Sequence, residues 1–157
     1  MQRAKAKLRK GERPSTAAGE FVREEMHHIR RGKHGARSAE QAIAIGLSKA
    51  RRAGIPLQPP RKGRAKRATR QAAAKAYEAG QGVRRPRPAS KRRARAVERA
   101  LKREPRRAAS HRALSAHAHR AANRRSAAER SAAARKAVAT KGRAGRRAAA
   151  RKAARTR

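Results

Sequence analysis

A net charge of +39 on 157 residues sets the first limit on how this chain can fold. Forty-eight Lys and Arg stand against nine Glu, and there is no Asp. So many like charges repel one another when brought into one body, and they call for a polyanion to neutralise them. The chain has little apolar material with which to resist that repulsion. It holds one Phe (Phe21), one Tyr (Tyr77) and no Trp, and most of its 37% apolar residues are Ala. The large aliphatics cluster before residue 58. Low apolar content with high net charge leaves the entropy of ordering uncompensated over much of the length. The expectation is an all-α protein with one small ordered unit and a long remainder that is largely disordered or folds on binding.

The natural polyanion is nucleic acid. Duplex DNA carries one charge per ~1.7 Å of axis, so the excess charge balances about 66 Å, or roughly 20 base pairs. Arg outnumbers Lys by 35 to 13. GC-rich codons favour both Arg and Ala, and the planar guanidinium also grips phosphate and enters narrow minor grooves. Cysteine is absent, which excludes disulfides and Cys-ligated clusters and fits a reducing compartment. The longest apolar run, Ala42 to Leu47, falls far short of the ~20 residues that span a bilayer. The basic start runs into Gly11-Glu12-Arg13-Pro14 and not into the apolar stretch of a signal peptide. These features predict a cytoplasmic, nucleoid-associated protein with no membrane partner.

Three segments follow from the breakers and the charge. Residues 1–13 form a basic arm in which only Leu8 is a sizeable apolar residue. Residues 14–57 read as a helical hairpin, with helices between about 15 and 54. Ser15 or Thr16 is placed as the first N-cap, and Val22, Met26 and Ile29 make a stripe widened by Ala18 and Phe21. This helix ends at about Arg31, with Gly32 as a left-handed stop. Ser38-Ala39-Glu40-Gln41 matches a capping box, in which Gln41 reaches back to the Ser38 N–H. Ala42, Ile43, Leu47 and Ala50 continue the second stripe, and Gly54-Ile55-Pro56 closes it. The predicted hairpin core is Phe21, Val22, Met26, Ile29, Ile43 and Leu47. Gly46 lies inside the second helix at a cost of up to ~1 kcal/mol, which implies close approach of the first helix near Phe21 or Met26. A hairpin of this size is short of core, so it is expected to gain more helix, a second copy of itself or a protein partner.

Residues 58–157 carry 34 Lys and Arg against four Glu. They read as a polycationic tail of short Ala/Arg/Lys helices. Helices are expected over 66–79, stopped by Gly80-Gln81-Gly82, and from Ser90 to Glu104, ended by Pro105. A third is expected over 111–122, capped by Ser110, and the stretch Arg84 to Pro88 is expected to be extended. Ser126-Ala127-Ala128-Glu129 is a second capping box, and AAARKA recurs at 132–137 and 148–153.

No catalytic constellation emerges. There is no phosphate-binding Gly-rich loop, and no nucleophile stands beside a base. The expectation is therefore no enzyme and no cofactor. Glu24 and Glu25 are adjacent, so they do not face one another on a helix, and surface solvation or pairing with cations of the hairpin accounts for them. Glu24, His28 and His34 can be drawn as a metal set, but the hairpin offers no convincing fourth ligand, and no metal site is predicted. His27 and His28 suit the helix C-terminus, and His111, His117 and His119 are read as phosphate contacts or surface residues. One Tyr and one Phe cannot build a stacking platform for single strands, which favours duplex DNA over RNA. The second helix offers few base-edge donors, so a groove-reading role is disfavoured.

The predicted phosphate contacts are the basic pairs. On the hairpin they are Lys33, Arg37, Arg51 and Arg52. Along the first half of the tail they are Arg84, Arg85, Arg92, Arg93, Arg106 and Arg107. Towards the end they are Arg124, Arg125, Arg135, Lys136, Arg146, Arg147, Arg151 and Lys152.

Two resemblances join this reading. The stretch EFVREEMHHIRRGKHGARSAEQAIAIGLSKARRAG, within Ser15–Pro56, resembles a small uncharacterised family of bacterial and phage proteins that share a Lys/Gly turn followed by a QAIAI-L-A--AG helix. That resemblance implies no activity. The repeated AAARKA and the basic end resemble the tails of bacterial histone H1-like proteins, with Arg here in place of their Lys and regular Pro. The combined expectation is a sequence-tolerant, histone-like DNA-binding protein. Its rivals are an RNA- or ribosome-associated protein and an adaptor whose hairpin binds a protein while the tail tethers nucleic acid.

Overall fold

The computed structural model describes residues 1–85 and 90–155. Among these, every regular element is helical: α1 (Gln2–Arg9), α2 (Pro14–Arg30), α3 (Ala39–Arg52), α4 (Arg67–Gly80), α5 (Lys91–Arg103), a 3₁₀ turn (Arg106–Ala109), α6 (His111–Asn123) and α7 (Ala127–Arg155). The chain divides into two compact units, Met1–Ser115 and Ala116–Arg157.

The hairpin is present, and its ends follow local chemistry. α2 starts two or three residues earlier than the Ser15/Thr16 caps imply. Pro14 takes the first helical position, where its missing N–H costs nothing and its fixed φ suits the helix. Arg13 is the N-cap and makes no side-chain capping bond. At the other end Gly32 has φ +74°, its N–H bonds the Ile29 carbonyl, and the Lys33 N–H reaches the His28 carbonyl. α3 ends in the same way at Gly54, with φ +85°. Its successor Ile55 bonds back to the Ala50 carbonyl and packs into the cluster that holds Ala50. This is the apolar contact that such an end favours. Ser38 caps α3 through the Gln41 N–H at 3.2 Å, but the Gln41 side chain accepts from the Arg37 N–H at 2.8 Å and not from Ser38.

α2 and α3 pack along their length. Gly46 is buried there, and a Cβ on it would stand 2.7 Å from the Val22 Cα. The close neighbour is thus Val22, between the Phe21 and Met26 named from the sequence. All six predicted core residues take part. Phe21, Met26 and Ile29 are buried, and Val22, Ile43 and Leu47 are partly so.

The core extends beyond the hairpin. The basic arm folds as α1 and lies on α2, with Ala4 fully buried and Leu8 against the Phe21 cluster. Lys7 fastens it to Glu20 at 2.9 Å. α4 packs on α3 through Ala73 and Ala76. The 3₁₀ turn buries Ala108 and Ala109 against the Met26–Ile29 cluster, and Leu114 packs there too. Arg30 Nε donates to the Ala109 carbonyl at 2.8 Å, and the Gly35 and Ala36 N–H groups bond the Leu101 and Pro105 carbonyls. The hairpin thus gains its missing core from segments that the sequence assigned to the arm and the tail. Small Ala side chains make this feasible, because they let backbones approach and bury area with little loss of side-chain entropy.

The segment after residue 58, expected to be largely disordered or to fold on binding, is instead helical over most of its described residues, and its helices form close to their predicted bounds. Ser110 caps α6 through the Ala113 N–H at 3.1 Å. Ser126 and Glu129 complete a reciprocal capping box at 2.9 and 3.1 Å. Ser90 precedes α5 without a side-chain capping bond. Of the predicted extended stretch, Pro86 to Pro88 lie outside the described residues. Both AAARKA repeats fall in α7, which is interrupted at Gly142 (φ +63°). No helix among the described residues is long and apolar enough to cross a membrane.

Candidate functional site

The exposed cations fall into separate sets in the two units. Met1–Ser115 carries 34 Lys and Arg against eight Glu, a net charge of +26, and Ala116–Arg157 carries 14 against one, a net charge of +13.

In the first unit a basic cluster gathers at the α2–α3 turn. Lys33 and Arg37 project from it and are exposed. The Ala36–Pro105 backbone bond places Arg37 beside Arg106. The Arg106 guanidinium lies over Gly32, less than 3 Å from where a Cβ would stand. Arg107 follows on the same 3₁₀ turn. Arg93 of α5 shares a shallow groove with Lys33, His34 and Val97. Five predicted contacts, Lys33, Arg37, Arg93, Arg106 and Arg107, are therefore collected by one strap of backbone hydrogen bonds. Arg92 is exposed on α5, and Arg84 and Arg85 are exposed after α4.

Arg51 is a correction. It is 7% exposed, and its Nε and Nη2 donate to the Leu57 and Gln58 carbonyls at 3.1 and 3.3 Å. Burial lowers its pKa from the ordinary arginine value. This guanidinium holds the chain that leaves α3 and has no face left for a phosphate. Its neighbour Arg52 is exposed and bonds Ser48 at 2.8 Å.

In the second unit Arg124, Arg125, Arg135, Lys136, Arg146, Arg147 and Arg151 are exposed, and the Lys152 side chain lies outside the described residues. After Gly142 the arginines at 143, 147, 151 and 155 recur every four residues, so they share one helix face. Arg147, Arg151 and Arg155 line a shallow groove floored by Ala144 and Ala148. Arg143 and Arg155 were not among the predicted contacts. The four-residue spacing is the signal that would have found them.

A second constellation lies beneath the turn. Glu25 is 1% exposed, on the inward arc of α2 between Phe21 and Ile29. Lys49 of α3 donates to its Oε2 at 2.5 Å, and His34 Nε2 lies 3.2 Å from its Oε1. Glu24, by contrast, points outward and stands 3.8 Å from His28 Nε2. Burial, then the charges of Lys33 and Lys49, hold the His28 pKa below the ordinary histidine value. The carboxylate that meets His34 is thus Glu25, while Glu24 pairs with His28 alone. The i, i+4, i+8 spacing of Phe21, Glu25 and Ile29 marked it in the sequence.

Set against protein-family models, curated proteins and solved structures, the chain matches none, so the arrangement of its residues is what speaks for its function.

Proposed function

We propose that this protein is a non-enzymatic, sequence-tolerant binder of duplex DNA that works through the phosphate backbone, in the manner of a histone-like nucleoid protein. The observation that carries the reading is the arginine face of α7. Its four guanidinium groups stand about 6 Å apart along the axis at 1.5 Å rise per residue. Alanines between them keep the face shallow, so a phosphate backbone can lie against it. The basic cluster at the α2–α3 turn is a second, separate anchor. Among the described residues neither face carries aromatic side chains for stacking, and the amide at the turn, Gln41, is tied to the Arg37 N–H, which is why sequence tolerance is assigned.

Repulsion among the 13 excess charges of Ala116–Arg157 opposes helix in free solution, and phosphate removes it. The helices of this unit are therefore expected to be more stable on DNA than free. The similarity of the chain end to histone H1-like tails agrees with this role, and the compartment it requires is the bacterial nucleoid.

The test is a salt titration of duplex binding. If eight to ten phosphates are neutralised, log K falls with log salt at a slope of about −7 to −9. Replacing Arg147, Arg151 and Arg155 together with Ala should make the slope shallower by about 2–3. A slope near zero, or a triple variant indistinguishable from the parent, would falsify the proposal. Tighter binding of structured RNA at matched salt would reassign the partner.

A further inference from the structure

We propose that Glu25, His28 and His34 form a three-ligand site for one transition-metal ion of the zinc class, which staples α2 to the α2–α3 turn. One ligand atom from each residue lies within 4.8 Å of the other two. In a tetrahedral zinc site with bonds near 2.0–2.1 Å, ligand atoms stand about 3.3 Å apart. The Glu25 Oε1–His34 Nε2 separation of 3.2 Å already matches that edge. His28, half-buried one turn along α2, brings a ring nitrogen within 4.8 Å of both.

The hydrogen bonds around His34 and Glu25 suit a ligand role. His34 Nδ1 lies 3.0 Å from the Gly35 carbonyl oxygen, which only accepts, so Nδ1 carries the proton. That leaves Nε2 facing a carboxylate oxygen, Glu25 Oε1, at 3.2 Å. Glu25 Oε1 is buried and accepts no hydrogen bond among the described residues. A proton or a metal ion can bridge Nε2 and Oε1, and His28 within reach of both supplies the third ligand that only a metal ion would use. A backbone carbonyl on the far nitrogen is the support that metal-binding histidines regularly have, and Lys49 on Oε2 fixes the carboxylate in the same sense.

The chemistry of the donors selects the ion. Two imidazoles and one carboxylate suit zinc and its neighbours, whereas calcium and magnesium seek oxygen-rich sites. Lys33 and Lys49 close by further disfavour an ion held by charge alone. A cavity of about 210 Å³, lined by Met1, Phe21, Glu24, Glu25, His28 and Lys49, opens beside two of the three ligands.

The experiment uses the full chain, stripped of metal by chelator and of nucleic acid by high salt. Zn²⁺ is titrated in competition with a chromogenic chelator, and Co²⁺ is added separately as a visible reporter of coordination. The expected result is one tight equivalent and the intense visible band of tetrahedral Co²⁺. H34A and H28A should each weaken it by at least about tenfold, while H27A, an exposed neighbour, should not. Circular dichroism confirms that the variants keep their helix. Should a substitution on α2 disturb the fold, H34A, which alters only the turn, decides the question. The proposal is overturned by the lack of a saturable equivalent, by H34A binding like the parent, or by Co²⁺ keeping its pale aqueous spectrum. Any of these would leave His34 as a charged partner of Glu25 and nothing more.

Discussion

Alanine at Gly46 and alanine at Gly19 should change stability in opposite directions. Both glycines lie inside helices, Gly46 in α3 and Gly19 in α2. Taken alone, each substitution favours the helix by up to ~1 kcal/mol, because alanine has less backbone freedom to lose. Their surroundings differ. A Cβ at Gly19 meets nothing within 4 Å, whereas one at Gly46 meets the Val22 Cα at 2.7 Å, its N at 3.0 Å and its Cγ2 at 3.1 Å. Two of these three atoms are backbone, so relief requires α2 to move off α3. Overpacking of this kind costs about 1–3 kcal/mol. Because the obstacle is backbone, the cost falls in the upper part of that range, about 2–3 kcal/mol, so G46A should lose about 1–2 kcal/mol net, whereas G19A should gain up to ~1 kcal/mol. For a unit of this size 1 kcal/mol is worth about 4 °C in Tm, so the midpoints should move by about −4 to −8 °C and up to about +4 °C. Thermal unfolding followed by circular dichroism reads both. Equal shifts, or a G46A protein as stable as its parent, would show that the helices do not meet at Val22.

Two further outcomes follow from the buried and fastened charges. R51A should destabilise the chain by about 1–3 kcal/mol, because the Leu57 and Gln58 carbonyls lose their donors, whereas R52A should stay within about 0.5 kcal/mol. R51K should fail to restore stability, since an ammonium cannot serve both carbonyls as the planar fork does, and denaturant unfolding of the three variants checks this. Glu20 is held below its ordinary pKa of 4.5 chiefly by the hydrogen bond from Lys7, with Arg23 adding to it against the opposing effect of burial. The folded chain therefore binds fewer protons at Glu20 than the unfolded one. Its contribution is complete above pH 4.5 and is lost as pH falls through the lowered value. Amide exchange in α1 should accelerate over that acidic range in the parent, and E20Q should show fast exchange at every pH; a parent insensitive to acid would refute the fastening.

Much of the local structure was legible in the chain itself. The Gly32 and Gly54 stops, the Ser38 cap, the Ser126 capping box and the Pro105 break each depend on a residue and its near neighbours, and the structure forms them all. The Pro14 start was misread because Ser15 and Thr16 resemble caps, while a proline at the first helical position needs none. The overwhelming cationic excess was equally plain, because charge is a sum over residues and needs no geometry.

Tertiary structure alone decided what each cation and carboxylate is for. Arg51 and Arg52 are neighbours with the same side chain, yet one holds carbonyls inside and the other faces water. Composition could not announce that α1, α4 and the Arg106–Ala109 turn would complete the core, since alanines bury well only where another backbone comes close enough to cover them. Nor could it bring Glu25 to His34 and Lys49, groups that converge only once α2 and α3 lie side by side. Charge is additive along a chain and so can be read from it, whereas burial and coordination depend on which distant residues become neighbours.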